Sequence, residues 1–189
     1  RLAATFAVGL PFVLLLWTAF RRETSLFRLL SIYWKVSSLL AISILLLTDE
    51  RQIGYLTLFL SPLLMVGSIW FWVDLNEELG DLPPWRALPL VVKIWRWSLS
   101  GVSLLLLVLS FRSLPCLTNI EENTCQVWIQ APLKFHSFSE DLFNFLFGGQ
   151  WSEAIAAFVG YVALIGYAIG ILQWLLIRLP KNGRLAGEF

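Results

Sequence analysis

Side chains with the means to do chemistry fall in three places along the chain. Asp74, Glu77, Glu78 and Asp81 stand at helical spacing, and carboxylates gathered on one face can bind a cation or relay protons. Cys116 and Cys125 lie close enough in sequence to close a small disulfide loop. The single histidine, His136, could act as an axial ligand to haem or chlorophyll, whereas a zinc site needs three or four protein ligands and none cluster with it. Simpler readings stand beside each of these. The acids form a solvated face or pair with Lys35, Lys93 and Arg96, the cysteines are two free buried thiols, and His136 is an ordinary surface side chain. No Ser-His-Asp or Cys-His arrangement, HExxH, phosphate loop or dinucleotide fingerprint appears. No catalytic residue and no metal ligand set is assigned, and the chain is not expected to be an enzyme.

The elements that must hold these residues are membrane spans. The chain has 189 residues, is 58% hydrophobic and has a mean hydropathy of +0.73. A water-soluble domain of this size leaves about a third of its unfolded surface exposed, so that much apolar surface requires lipid as solvent. The pattern predicts one all-α transmembrane bundle of about five spans, near residues 2–20, 29–47, 53–73, 90–111 and 151–177. Pro11 and Pro62 are kink sites. Residues 2–20 lack the charged start and small-residue cleavage site of a signal peptide, and further residues are expected before Arg1. A net charge of +1 gives no reason to expect a nucleic-acid partner.

Between spans three and four, residues 69–97 carry five of the ten tryptophans, namely Trp70, Trp72, Trp85, Trp95 and Trp97. Indole rings favour the headgroup level, where the ring is half-buried and its N–H stays wet. Together with Asp74, Glu77, Glu78, the Pro83-Pro84 break and nearby basic residues, these rings make the stretch a docking hub. Residues 112–150 form a polar-aromatic loop. Ser137 precedes Glu140 at capping-box spacing, and Phe138, Leu142, Phe145 and Leu146 share a face opposite Glu140, Asp141 and Asn144. A short amphipathic helix outside the cytoplasm is predicted there, ended by Gly148-Gly149. In span five, Ala156, Gly160, Ala163, Gly166 and Gly170 form a small-residue packing stripe, and its expected use is contact with the other spans.

Charge orients the bundle. Arg21, Arg22, Arg28, Lys35, Arg86, Lys93, Arg96, Arg178, Lys181 and Arg184 collect on one side, against Arg1, Arg51, Arg112 and Lys134 on the other. Positive loops stay in the cytoplasm, so the hub and C-terminus are expected inside, with the N-terminus and cysteine loop outside. An oxidising exterior then favours the Cys116–Cys125 bond.

The runs LFRLLSIYWKVSSLLAISILLL and IWFWVDLNEELGDLP, with IYWK (Ile32 to Lys35) and FWVDLNEE (Phe71 to Glu78) their most specific parts, resemble an uncharacterised integral-membrane family of cyanobacteria, a domain of unknown function. The resemblance implies a thylakoid or plasma membrane, with the outer side lumenal or periplasmic. It supplies no catalytic residues. The expected role is an accessory subunit or assembly factor of a larger membrane complex, a photosystem being one such partner, with lipid, carotenoid or chlorophyll as possible occupants of the aromatic faces and no cofactor established. The alternatives are a small-solute or ion transporter using Lys35 and Asp74, and an enzyme acting on lipid at the cytosolic interface.

Overall fold

A computed structural model of the protein describes residues 5–83, 85–118, 123–147 and 151–186. The expected start of the first span at Leu2, the Pro84 half of the double-proline break and the Gly148-Gly149 break lie outside the described residues. The described residues form helices and no strands: α1 (Thr5–Arg21), α2 (Thr24–Thr48), α3 (Ile53–Trp70), α4 (Val73–Asp81), α5 (Ala87–Phe111), α6 (Asn123–Phe147) and α7 (Glu153–Lys181). α1 opens with a π-helical turn at Thr5–Gly9, α7 passes through another at Trp174–Arg178, and a short 3-10 turn, Leu114–Leu117, precedes α6.

Four helices, α2, α3, α5 and α7, are long and apolar enough to cross a membrane, while α1 is equally apolar but shorter. The protein is therefore an all-helical membrane protein with four to five candidate spans. Buried hydroxyls in these helices bond back to their own carbonyls, Ser43 to Leu39 at 2.8 Å and Ser61 to Thr57 at 2.9 Å. Such bonds satisfy a polar group where no water can.

The chain divides into two compact units. One comprises Arg1–Ser37, Pro62–Leu107 and Leu172–Phe189, and the other Ser38–Ser61 and Val108–Ile171. α1 and α4 belong wholly to the first, α6 wholly to the second, and the four long helices supply residues to both.

Local chemistry explains the observed boundaries. Arg22 adopts a left-handed conformation (φ 55°), its N–H donates to Ala19 O and the Glu23 N–H to Thr18 O, and together these end α1. α2 then begins at Thr24, five residues earlier than its apolar run suggests, because Arg28 is accommodated within a helix already under way. Pro89 sits in the first turn of α5, where its missing N–H has no intrahelical role. α3 stops at Trp70, before the predicted 73, because Trp72 turns extended (φ −84°, ψ 115°).

α6 corrects the prediction of a short helix opening at Ser137. It starts at Asn123 and runs 25 residues, so Ser137 is interior and its hydroxyl donates to Lys134 O at 2.9 Å. The residues Cys125, Ile129, Pro132 and His136 are buried along it, followed by half-buried Ser139 and Phe143. This alternation of four and three places them on one face. Pro132 within a polar stretch obscured that seam in the sequence.

Candidate functional site

In the first unit, two breaks in helical hydrogen bonding are repaired by side chains from far along the sequence. Pro11 has no N–H to offer, so Ala7 O, four residues before it, and Phe6 O, five before it, lose the partners that an α or a π turn would supply. Tyr33 Oη donates to Ala7 O at 2.7 Å and Trp95 Nε1 to Phe6 O at 3.0 Å. The two rings meet edge to face at 5.0 Å, and both are almost completely buried.

The second break is the hub itself. Where α3 ends, its terminal carbonyls have no helical donors, which is costly away from water. Arg96 Nη2 donates to Ile69 O at 2.7 Å and also to Asn76 Oδ1, while Asn76 Nδ2 donates to Trp70 O at 3.1 Å. Arg184 Nε donates to the next carbonyl, Phe71 O, at 3.0 Å. Three consecutive carbonyls thus receive three side-chain donors. A cation at a helix C-terminus also complements the helix dipole. The Arg96 guanidinium lies 4.2 Å over the Trp70 ring, whose N–H reaches Ser100 Oγ at 2.9 Å.

The C-terminal segment closes the junction. Val73 N–H donates to Arg184 O at 3.1 Å, and Ala186 N–H meets both carboxylate oxygens of Asp74, at 3.0 and 2.9 Å. Trp174 joins Phe71 and Trp72 in a cluster with ring centroids 5.3 to 5.9 Å apart. Ion pairs draw in the α1–α2 turn and the start of α2, with Arg28 3.9 Å from Glu78 and Glu23 3.7 Å from Arg86. These pairs are partly exposed and contribute little to stability.

Most of the predicted docking residues therefore face inward. Trp72 and Trp95 are buried, Trp70 is half-buried over Arg96, Asp74 holds the chain's own C-terminal segment, and Glu78 is turned toward Arg28. Trp72 and Trp95 are unavailable to a partner, because in a helical bundle an indole fills the space beside a broken helix better than it serves the headgroup zone. Glu77, Trp85 and Trp97 stay at the surface, Trp85 at 83% exposure. Arg96 bonds a carbonyl and an amide, which replaces the prediction that it neutralises the acids. Lys35 and Lys93 are exposed. Asn76, Tyr33, Ser100 and Arg184 were not singled out as site residues from sequence. For Tyr33 the signal was the N–H missing at Pro11, whereas the break after Trp70, which Asn76 and Arg184 repair, lay inside the predicted third span.

The second unit is built differently. Cys116 and Cys125 are joined by a disulfide, with Cα atoms 5.8 Å apart, and both are fully buried. Around them pack Leu47, Tyr55 and Ile129, bordered by Leu58, Leu117 and Trp128. Tyr55 Oη donates to Cys125 O at 3.4 Å. His136 is only 9% exposed on the packed face of α6, which corrects its reading as a surface histidine. Among the described residues, no three His, Cys, Asp or Glu side chains gather in a group that could hold a metal.

The small-residue stripe divides in two. Ala156 and Gly160 are buried, and a Cβ on Gly160 would stand 3.1 Å from the Leu46 side chain. Ala163 is half-buried, whereas Gly166 and Gly170 are exposed and a Cβ there would meet nothing within 4 Å. The prediction that all five residues pack against the other spans is corrected for these last two.

A search of curated proteins and a search of solved structures each found no match. Residues 1–187 match the model of the family described as "Protein of unknown function (DUF3177)", and the chain belongs to that family.

Proposed function

We propose that this protein is an accessory subunit or assembly factor of a larger membrane complex, a photosynthetic complex of the thylakoid being the favoured setting. The observation that carries this reading is that the hub's polar side chains are spent on its own backbone. Arg96, Asn76 and Arg184 cap carbonyls and Asp74 holds Ala186, so the junction is a rigid platform presenting Glu77, Trp85 and Trp97 outward. A transport or catalytic site would instead direct its charged groups into a shared cavity. The alternatives are transport through Lys35 and Asp74 and lipid chemistry at the cytosolic interface, and the engagement of both Asp74 oxygens weakens the first.

The charge distribution supports a cytoplasmic hub and C-terminus and a lumenal cysteine loop, a topology that four crossings by α2, α3, α5 and α7 satisfy. A lumenal N-terminus requires α1 to cross as well, and accessibility of an N-terminal tag in sealed vesicles tests that separately.

Blue-native electrophoresis of solubilised native membranes tests the main reading. Co-migration with a large complex is expected, and the pair Trp85→Ala and Glu77→Ala should release a folded, free protein. A wild-type monomer that drives ion flux in proteoliposomes would overturn it in favour of transport.

A further inference from the structure

α6 has three distinct sectors at 3.6 residues per turn. The first is the packed seam of Cys125, Ile129, Pro132 and His136. The second is apolar and open: Val127 is 65% exposed, Phe135 49%, Phe138 65% and Phe145 86%, with Ala131 between them. The third is polar and also exposed, comprising Gln130, Lys134, Ser137, Asp141 and Asn144. Leu133, 39% exposed, borders the polar sector on its other side. A protein-covered helix has no use for a polar third sector, and a helix standing in water has no use for four large apolar side chains exposed on one sector. A helix lying at a lipid–water boundary needs both.

The anchoring of its ends says where that boundary is. At its N-terminal end, Cys125 is packed with Leu47, in the last turn of α2, and Tyr55, in the first turn of α3. Towards its other end, the Phe143 ring lies 5.2 Å from Trp151, two residues before α7 begins. Positions 125 and 143 are about 27 Å apart along a helix rising 1.5 Å per residue, so α6 bridges the terminal turns of three spans. The 25 residues of α2 exceed the roughly 20 needed to cross the hydrocarbon, which puts its last turn at the headgroup level. α6 itself is too polar to count among the spans.

We propose that α6 lies on the membrane surface with Val127, Phe135, Phe138 and Phe145 inserted among the lipid acyl chains, and that this insertion needs no anionic headgroup. The independence from anionic headgroups follows from charge. The described charged side chains of the helix are Lys134 against Glu140 and Asp141, so apolar burial and not electrostatic attraction holds it down.

The test is nitroxide accessibility in the full, disulfide-intact chain reconstituted into phosphatidylcholine nanodiscs. Labels would be placed through Phe138→Cys and Phe145→Cys on one sector and Ser137→Cys and Asp141→Cys on the other, with Val127→Cys replacing any apolar-sector variant that fails to fold. Oxygen collisions are expected to exceed those of a water-soluble nickel chelate severalfold at positions 127, 138 and 145, and the ratio should invert at 137 and 141. Adding phosphatidylglycerol should leave the ratios unchanged. Nickel accessibility at 138 and 145 equal to that at 141 would put the helix in water and overturn the proposal. Low accessibility to both reagents at 138 and 145 would also overturn it, since a protein surface would then cover the stripe. Ratios that invert only with phosphatidylglycerol present would refute the charge-independence.

Discussion

The α3–α4 junction and the cysteine cluster solve the same problem by opposite means. At the junction, the chain stops being helical, and the stranded carbonyls of Ile69, Trp70 and Phe71 are met by Arg96 in a buried bond, Asn76 in a part-buried one and Arg184 in an exposed one. Two of these donors lie 27 and 113 residues away. At the cysteine cluster, the cross-link spans only 9 residues, and its surroundings are leucine, isoleucine and tyrosine. One region is held by polar groups that only the finished fold brings together, the other by a local covalent link under an apolar cover. An unmet carbonyl in low dielectric costs its whole desolvation term, so the first region should fail sharply when Arg96, the donor in the buried bond, goes. A disulfide acts mainly by restricting the unfolded chain, so its loss should loosen the second region more gradually.

The largest effect is expected from Arg96→Leu. It strands Ile69 O and Asn76 Oδ1 together and removes the cation over Trp70, for a loss of about 3 kcal/mol in unfolding free energy, as for breaking a buried charged interaction. Unfolding in detergent followed by tryptophan fluorescence measures it. If Arg96→Leu cost no more than Lys93→Leu, an exposed basic neighbour on the same helix, the junction would not be held as described.

Reducing the disulfide comes next, at up to about 3 kcal/mol by the chain-entropy model. Hydrogen exchange should quicken around residues 112–129 and leave 69–76 protected. Equal loosening of both segments would remove the contrast between the two regions.

What could be read beforehand followed the same division. The disulfide was legible because both partners are cysteines in one loop, and the long spans because an apolar run longer than the hydrocarbon is thick needs nothing else to be recognised. The grouping of tryptophans after Ile69 marked the junction. Its wiring was not legible: Asn76 sits among four acids and looks like the least interesting of them, yet it both accepts from Arg96 and donates to Trp70 O. Trp95 resembled an interfacial anchor, and its N–H is instead the partner of a carbonyl freed by Pro11. The donor missing at Pro11 can be listed from sequence, whereas the helix end at Trp70 fell inside the predicted third span. Which side chain supplies the donor at each depends on packing between helices, and that periodicity does not encode.

Gly160 marks a close helix contact in the second region. A Cβ there would press on Leu46 at 3.1 Å and Leu45 at 3.3 Å, so Gly160→Leu is expected to cost about 1–3 kcal/mol by overpacking. Gly166→Leu and Gly170→Leu, open on all sides in this chain, should stay within about 0.5 kcal/mol. Thermal unfolding of the three variants ranks them. Equal losses would mean that the whole stripe is a close-packed surface in the membrane-bound protein.

The smallest effect isolates a single hydrogen bond. Tyr33→Phe keeps the edge-to-face contact with Trp95 and removes only the hydroxyl that meets Ala7 O, an expected loss of about 1 kcal/mol. The cause assigned to that bond is the absent N–H of Pro11, so the two positions should be coupled. Pro11→Ala restores a backbone donor within reach of Ala7 O, and in that background Tyr33→Phe should become close to neutral. A double-mutant cycle on unfolding free energy reads the coupling directly. Additivity would mean that the carbonyl was satisfied some other way, and that the tyrosine contributes through its ring alone.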